Sequence, residues 1–334
     1  MVRRFVVLSA AQADAAALWI AHTHAADASD TTPYFALTSA VMRSGKSRLM
    51  EVLELLVRSP LPAANLSDAV LFRVIAARTP TLLLDEADAI FGNKGREREE
   101  LRGMLDAGWR RGAKAYRMGG ANKTTLEEFA VFCPKAFAGI GSYLPGTLAD
   151  RSIIVRLDRR TRAEPVERFR RREVGPAASD LRDRIADWLE PQLDELRAAR
   201  PHLPGELDDR AWDYWEPLLA IADLAGGDWP RRARAAAVEL SGGEAREDES
   251  LSIRLLADVQ QVFETTGAEG LKTSVLISEL AAIEESPWGD WYGRQLSSQA
   301  LSKLLRPYRI TSCIGALVAL PWNPEARVSG EKLV

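Results

Sequence analysis

The 334-residue chain contains two cysteines, Cys133 and Cys313. They lie far apart and outside any metal-ligand spacing, which excludes a disulfide scaffold and fits a reducing compartment. Of the three histidines, His22 and His24 stand two apart on a helical stretch. They point to different faces and are poorly placed to share a metal. Positive charge is not in excess: the net charge is −3. That removes any global basic field and leaves nucleic-acid contact to local patches. No apolar run is long enough to span a bilayer. The opening Met1-Val2-Arg3-Arg4-Phe5-Val6-Val7-Leu8 has too short an apolar part for a signal peptide. No internal repeat or low-complexity segment is evident. A soluble cytoplasmic protein with no membrane partner is expected. Its composition is ordinary, 46% hydrophobic and 27% charged, and its length suits two or three domains.

What is present centres on Thr38-Ser39-Ala40-Val41-Met42-Arg43-Ser44-Gly45-Lys46-Ser47-Arg48-Leu49. Tyr34 to Leu37 reads as a strand feeding this loop. After it, Leu49, Val52, Leu53, Leu55 and Leu56 carry helical periodicity. Strand, loop ending in Gly-Lys-Ser, then helix is the context of a phosphate-binding P-loop. Backbone N–H groups and the helix N-terminus would face the phosphates, and Lys46 would add a point charge. Ser44, Gly45, Lys46 and Ser47 are the expected ATP-binding residues, with the Ser47 hydroxyl on Mg²⁺. Ala40 stands where the motif has its first glycine.

Thr81-Leu82-Leu83-Leu84-Asp85-Glu86-Ala87-Asp88 is an apolar strand ending in acids. A buried strand that delivers Asp85 to its C-terminal edge suits a Walker B acid holding Mg²⁺, and Glu86 is placed to polarise an attacking water. Alternating strand and helix around the two motifs argues for a parallel sheet.

Further along, residues 109–124 carry five basic side chains and no acid. Ala115 to Met118, a Gly119-Gly120 turn and Glu127 to Phe132 read as a hairpin. Lys114, Arg117 and Lys123 on it are candidate DNA contacts. Lys135 to Ile140 is another strand, ending where Ser142 would sense the γ-phosphate. Arg151, just before the strand Ser152–Leu157, would act as an arginine finger on a neighbouring subunit's nucleotide. Alternatively it forms a salt bridge within its own subunit. Residues 158–176 read as a charged linker. Helices Leu181–Leu196, Arg210–Ala225 and one opening at Trp229 would form a lid, with Arg231 or Arg232 facing the nucleotide. A polar hinge is expected over Ser241–Ser250. Helices 251–265, Ser274–Glu284 and Ser297–Arg306, followed by strands within Ile310–Leu320, suggest a winged helix or an interaction module that does not touch DNA.

Seven strings occur together in this chain: Ala17-Leu18-Trp19-Ile20-Ala21-His22-Thr23-His24, Ser44-Gly45-Lys46-Ser47, Leu83-Leu84-Asp85-Glu86-Ala87-Asp88, Leu101-Arg102-Gly103, Ala138-Gly139-Ile140-Gly141, Asp150-Arg151-Ser152 and Ala222-Asp223-Leu224-Ala225-Gly226-Gly227-Asp228-Trp229. In this order they resemble a primase-associated P-loop ATPase family of bacterial phages, plasmids and integrative elements, whose members are often called helicases. The resemblance spans roughly residues 5 to 310. It implies an AAA+-type ATPase acting on DNA in the replication of a mobile element, with a primase partner. The chain starts almost at the ATPase boundary and carries no primase active site, so synthesis activity is not carried over. Asp-Glu-Ala-Asp invites a DEAD-box reading. The short spacing between the two motifs, and the lack of a Ser-Ala-Thr motif or a second RecA-like half, argue against it.

The expectation is therefore an α/β P-loop NTPase, AAA+-like, over 1–160, a linker and helical lid over 161–245, and a winged-helix-like domain over 246–334. ATP and Mg²⁺ are the expected cofactors, with Glu86 and Arg151 as catalytic groups. Single-stranded DNA and a homo-oligomer, a hexameric ring, are the expected partners. The expected work is that of a replicative helicase or translocase motor of a mobile element, moving along or unwinding DNA. The competing expectation is an ATP-switched DNA-binding loader, regulator or defence ATPase without helicase activity.

Overall fold

In the computed structural model, chain order and sheet order differ, and that difference positions everything else. The structure describes residues 1–63, 68–91, 99–119, 125–141, 143–161, 163–241, 243–268, 270–283, 286–289, 291, 294–308, 310 and 316–318. They fall into two compact units, Met1–Gly243 and Glu244–Val334.

The first unit opens with helix α1 (Ala10–Ala25), started by a capping box. Ser9 Oγ accepts from the Gln12 amide at 3.1 Å, and Gln12 Oε1 accepts from the Ser9 amide at 3.0 Å. Strand β1 (Tyr34–Ser39) leads to α2 (Lys46–Leu56), and β2 (Pro60–Pro62) leads to α3 (Asp68–Arg78). Next come β3 (Thr81–Leu84), the short α4 (Ala87–Phe91) and α5 (Glu99–Ala107). A hairpin of β4 (Lys114–Gly119) and β5 (Thr125–Ala130) precedes β6 (Lys135–Ile140), α6 (Gly146–Ala149) and β7 (Ser152–Arg156).

Five of these strands form one parallel sheet in the order β2-β3-β6-β1-β7. The side chains obey the two-residue strand period. Phe35, Leu37, Leu83, Ala136 and Ala138 face a core shared with α1 and α2. Tyr34, Leu82, Leu84 and Phe137 face a second core with α3, α5 and the hairpin. Both faces being covered explains why these strands read as continuous apolar runs. At the β2 edge, Ala63 N–H reaches Leu83 O at 3.0 Å. The alternation therefore turns Pro60 and Pro62 outward, where a missing N–H costs nothing and blunts the edge. The described strand at this edge is Pro60–Pro62, and residues 64–67 lie outside the described residues.

Lys135 is fully buried at the start of β6. Its Nζ donates to the carbonyls of Gly108 (2.9 Å), Cys133 (2.9 Å) and Val131 (3.3 Å) and lies over the Tyr34 ring. One ammonium thereby ties the end of α5, the end of the hairpin and the start of β6 together. Three acceptors offset the cost of burying it. Gly108 is required beside it, since a Cβ there would stand 2.4 Å from Val131 O.

Four more helices complete this unit: α7 (Arg171–Leu189), α8 (Leu193–Ala198), α9 (Asp209–Ala225) and α10 (Trp229–Ser241). Of these, α7 packs against α1 and α2, α9 and α10 pack against α1, and α8 packs on α9; the core is joined through Val174, Trp215, Leu218 and Ala236. Arg232 forks onto Asp14 of α1, with Nε 2.9 Å from Oδ2. The expected linker 158–176 is corrected here, because α7 begins at Arg171 and carries Pro176 inside it. A proline that early removes one donor, and burying Val174 and Ala178 offsets that loss.

In the second unit the expected hinge over Ser241–Ser250 is also corrected: Gly243–Thr266 is one helix, α11. Glu, Ala and Arg dominate 244–248, and their helix propensity outweighs their polarity. Then come β8 (Gly270–Lys272), α12 (Thr273–Ala282), α13 (Ser298–Leu305) and β9 (Ala316–Val318), with β8 and β9 antiparallel. Its core gathers Leu255, Leu276, Leu280, Trp288, Leu301 and Leu305. Trp288 stacks on Trp291 and donates to Asp258 at 2.5 Å.

His22 is buried on α1, with Nε2 2.9 Å from Thr32 Oγ1. Burial, with Arg111 nearby, lowers its pKa to about 3. An unfolded imidazole titrates near 6.5, so the unfolded chain takes up this proton first. Stability should be fully present above about pH 6.5 and fall below it, by about 1.4 kcal/mol per pH unit. Urea denaturation between pH 7 and 5 is expected to show this slope, and His22→Asn is expected to flatten it.

Candidate functional site

The C-terminal edge of the sheet brings the two sequence motifs together. β1 ends at Ser39, the chain turns through 40–45, and α2 starts at Lys46. β3 ends at Leu84 and hands Asp85 and Glu86 to the turn before α4. β6 runs between β1 and β3 and hydrogen-bonds to both. The loop and the acids thus stand two strand spacings apart, about 10 Å at the backbone.

Gly45, at φ +96°, caps α2 in the left-handed region. A Cβ there would also come within 3.3 Å of Val6 Cγ1. Lys46 is buried, and its Nζ rests on Ser39 Oγ and, at 3.3 Å, on Ser44 Oγ. Ser39 in turn donates to Val41 O at 2.7 Å. Burial pushes the Lys46 ammonium below its usual range, while Asp88 and then Asp85 pull it back up. Ser47 is exposed on the first turn of α2. Asp85 is half-buried and accepts the Glu86 amide at 2.9 Å. Glu86 is exposed and holds φ +55°, a strained backbone for a non-glycine residue.

Four residues that the sequence reading did not single out lock this edge. Asp88 accepts the Ile140 amide of β6 at 3.3 Å, which joins the β3 turn to the β6 end. Thr38 Oγ1 donates to Gly141 O at 2.7 Å, and Gly141 N–H returns to Ser39 O at 2.9 Å. Tyr143 packs on Gly139 and donates to Leu37 O at 3.2 Å. Burial raises its phenol pKa, helped by Asp88 and Asp85. Only Asp88 carried a sequence signal, as the last acid of its motif. The roles of Ser39, Thr38 and Tyr143 arise from strand neighbours far away in sequence.

The remaining candidates are scattered. Arg151 precedes β7 at the N-terminal edge of the sheet, the end away from loop 40–45. Its Nη1 meets Asp106 Oδ1 at 3.1 Å and Asp106 O at 3.2 Å, and the guanidinium lies over Trp109. The alternative of a salt bridge within the subunit is the arrangement seen. Arg231 is exposed near the start of α10, 3.4 Å from Asp228 Oδ1; among the described residues no contact links it to 39–47. On the hairpin, Lys114 pairs with Glu128 at 2.5 Å, and Arg117 lies over Phe72 of α3, 3.9 Å from the ring centroid. The exposed hairpin face instead shows Tyr116, Met118 and Leu126. Ser142 and Lys123 lie outside the described residues. No cluster of three or more metal-ligating side chains occurs among the described residues, and no helix among them is long and apolar enough to cross a membrane.

The family comparison touches the other half of the chain. Residues 156–316 match the family described as "Protein of unknown function (DUF3631)". The match covers less than half of the chain and begins at the last residue of β7, so of the nucleotide-site candidates it takes in only Arg231 and its alternative Arg232. The chain is also similar to an "Uncharacterized 28.9 kDa protein in xis 5'region" of Saccharopolyspora erythraea, at 41% identity over 170 residues. That alignment spans 51% of this chain and 62% of the relative.

Gly45→Ala should destabilise the first unit by about 1–2 kcal/mol, because alanine must hold a left-handed backbone. Gly103→Ala, in α5 with nothing within 4 Å of the new Cβ, should stabilise by about 0.5–1 kcal/mol. Opposite shifts in urea midpoint are the expected result.

Proposed function

We propose that the chain is a Mg²⁺-dependent ATPase of the AAA+-like P-loop class that acts on DNA. The observation carrying this reading is the buried Lys46, at the start of the helix after β1, on the same sheet edge as Asp85 and Asp88 with β6 between them. Open parallel sheets bind ligands beyond the carboxyl ends of their strands, and the loop, Lys46 and both acids stand there. The residues fit the group. A lysine resting on two serine hydroxyls has exchangeable partners, and the N–H groups of 43–47 open a helix N-terminus to phosphate. Lys46 and those amides would hold the phosphates, and Ser47 and Asp85 the metal. When bound, Mg²⁺ would supply charge neutralisation on the phosphate oxygens. Glu86, exposed one residue after Asp85, would orient the attacking water and accept its proton.

The DNA partner, a cytoplasmic setting and a ring with Arg151 acting in trans belong to the same proposal. The relative's position in the 5′ region of xis supports a mobile-element setting, and a primase partner follows from the family resemblance. The engagement of Arg151 by Asp106 and Trp109 favours a second reading. In that reading the chain is a nucleotide switch, a DNA-binding loader, regulator or defence ATPase, whose Arg151 keeps its partners within the subunit.

Steady-state ATP hydrolysis with and without single-stranded DNA tests both readings. Glu86→Gln should lower kcat about 10²–10⁴-fold, as loss of a positioned base does, and Lys46→Ala should abolish binding. A motor predicts DNA-stimulated turnover, and mixing Lys46→Ala with Arg151→Ala should restore part of it. A slow rate indifferent to DNA and to Arg151→Ala would leave the switch. No hydrolysis by the wild-type chain would remove the ATPase reading.

A further inference from the structure

We infer that Arg43 is a second phosphate-binding cation, held on the loop in a strained backbone conformation beside Lys46. The inference rests on the nucleotide reading above and adds a binding residue to it.

Three observations carry it. Arg43 sits in the turn between β1 and α2 with φ +62°, in the left-handed region that suits glycine or asparagine and that a long L side chain rarely adopts. It is exposed, and among the described residues no hydrogen bond or ion pair engages its guanidinium. Other arginines of this unit are engaged: Arg4 with Glu167, and Arg48, on the helix that follows the loop, with Glu51. The loop on both sides of it is pinned, by Ser39 on Val41 O and by Lys46 on Ser39 and Ser44.

A strained residue persists where its surroundings over-determine it, and such residues gather at ligand sites. Glycine at this position would remove the strain, so what the arginine adds is its charge and its fork of donors. Lys46 is a compact charge buried under the loop. A guanidinium is planar and meets two phosphate oxygens at once. The two cations would thus divide the work: Lys46 fixes the phosphate chain from within, and Arg43 closes over it from the solvent side. Its free state before binding follows from that role, since a guanidinium already paired with a carboxylate would first have to be released.

Arg43→Asn separates charge from conformation, because asparagine tolerates the left-handed backbone. The full-length chain is titrated with Mg²⁺–ATP by calorimetry, and its thermal midpoint is recorded without nucleotide. The variant is expected to melt at or above the wild-type temperature while binding ATP about 10-fold more weakly, the scale of one charge-assisted hydrogen-bonded contact. Arg43→Lys should fall between the two. ATP affinity within about twofold of wild type overturns the inference, and so does a loss of affinity accompanied by a lower melting temperature. Lys46→Ala separates the two readings. If it abolishes ATP binding while Arg43→Asn leaves it intact, the nucleotide site stands and the role of Arg43 falls. A wild-type chain that binds no ATP refutes the site itself.

Discussion

Strand β6 holds the first unit together by lying between β1 and β3. Its hydrogen bonds to both fix the spacing of the loop 40–45 and the acids 85–88, and the three strands are covered on both faces. The sequence order is β1, β3, β6, so the middle strand arrives last. The gap between the two motifs is therefore a fixed interval rather than an adjustable one. Lys135 pins the lower end of that strand through three carbonyls, and Asp88, Thr38 and Gly141 pin the upper end. A slip of β6 by one residue would turn Phe137 to the wrong face and break both sets of bonds.

Polar groups in this unit are buried where they join elements. Asp14 meets Arg232 between α1 and α10, Lys135 joins α5, hairpin and sheet, and Lys46 lies under its loop. The first two have their partners built in. Among the described residues Lys46 hydrogen-bonds only hydroxyls, those of Ser39 and Ser44. That contrast separates a cation fixed by carbonyls or a carboxylate from one with exchangeable partners, as the proposed phosphate site requires. The positive φ values of Arg43 and Glu86 belong to the same edge, so strain and exchangeable contacts concentrate where the proposed chemistry lies.

Much of the site was legible in sequence because its parts are local. Gly45-Lys46-Ser47 after an apolar strand, and Asp85-Glu86 at the end of another, each carry their meaning within a dozen residues. Arg151, Arg231 and Arg117, expected to meet a neighbouring subunit's nucleotide, the nucleotide and DNA respectively, stand apart from these two motifs within the chain. Their actual partners, Asp106, Asp228 and Phe72, follow from packing or from short-range pairing that the pattern did not rank. The expected hinge at 241–250 failed differently, because polarity was read as a break where helix propensity prevailed.

The sequence by itself determined the strands, from their unbroken apolar runs, the capped start of α1 at Ser9, and the left-handed turn that needs Gly45. These depend on interactions within a few residues. Only the tertiary structure decided that β6 separates the two motifs, that α7, α9 and α10 pack against α1, and that Asp88, Ser39 and Tyr143 stand at the same sheet edge as the two motifs. Each of those depends on which strand lies beside which. Hydrogen bonding between strands is indifferent to side-chain identity, so the order of strands in a sheet leaves little trace in the residues themselves.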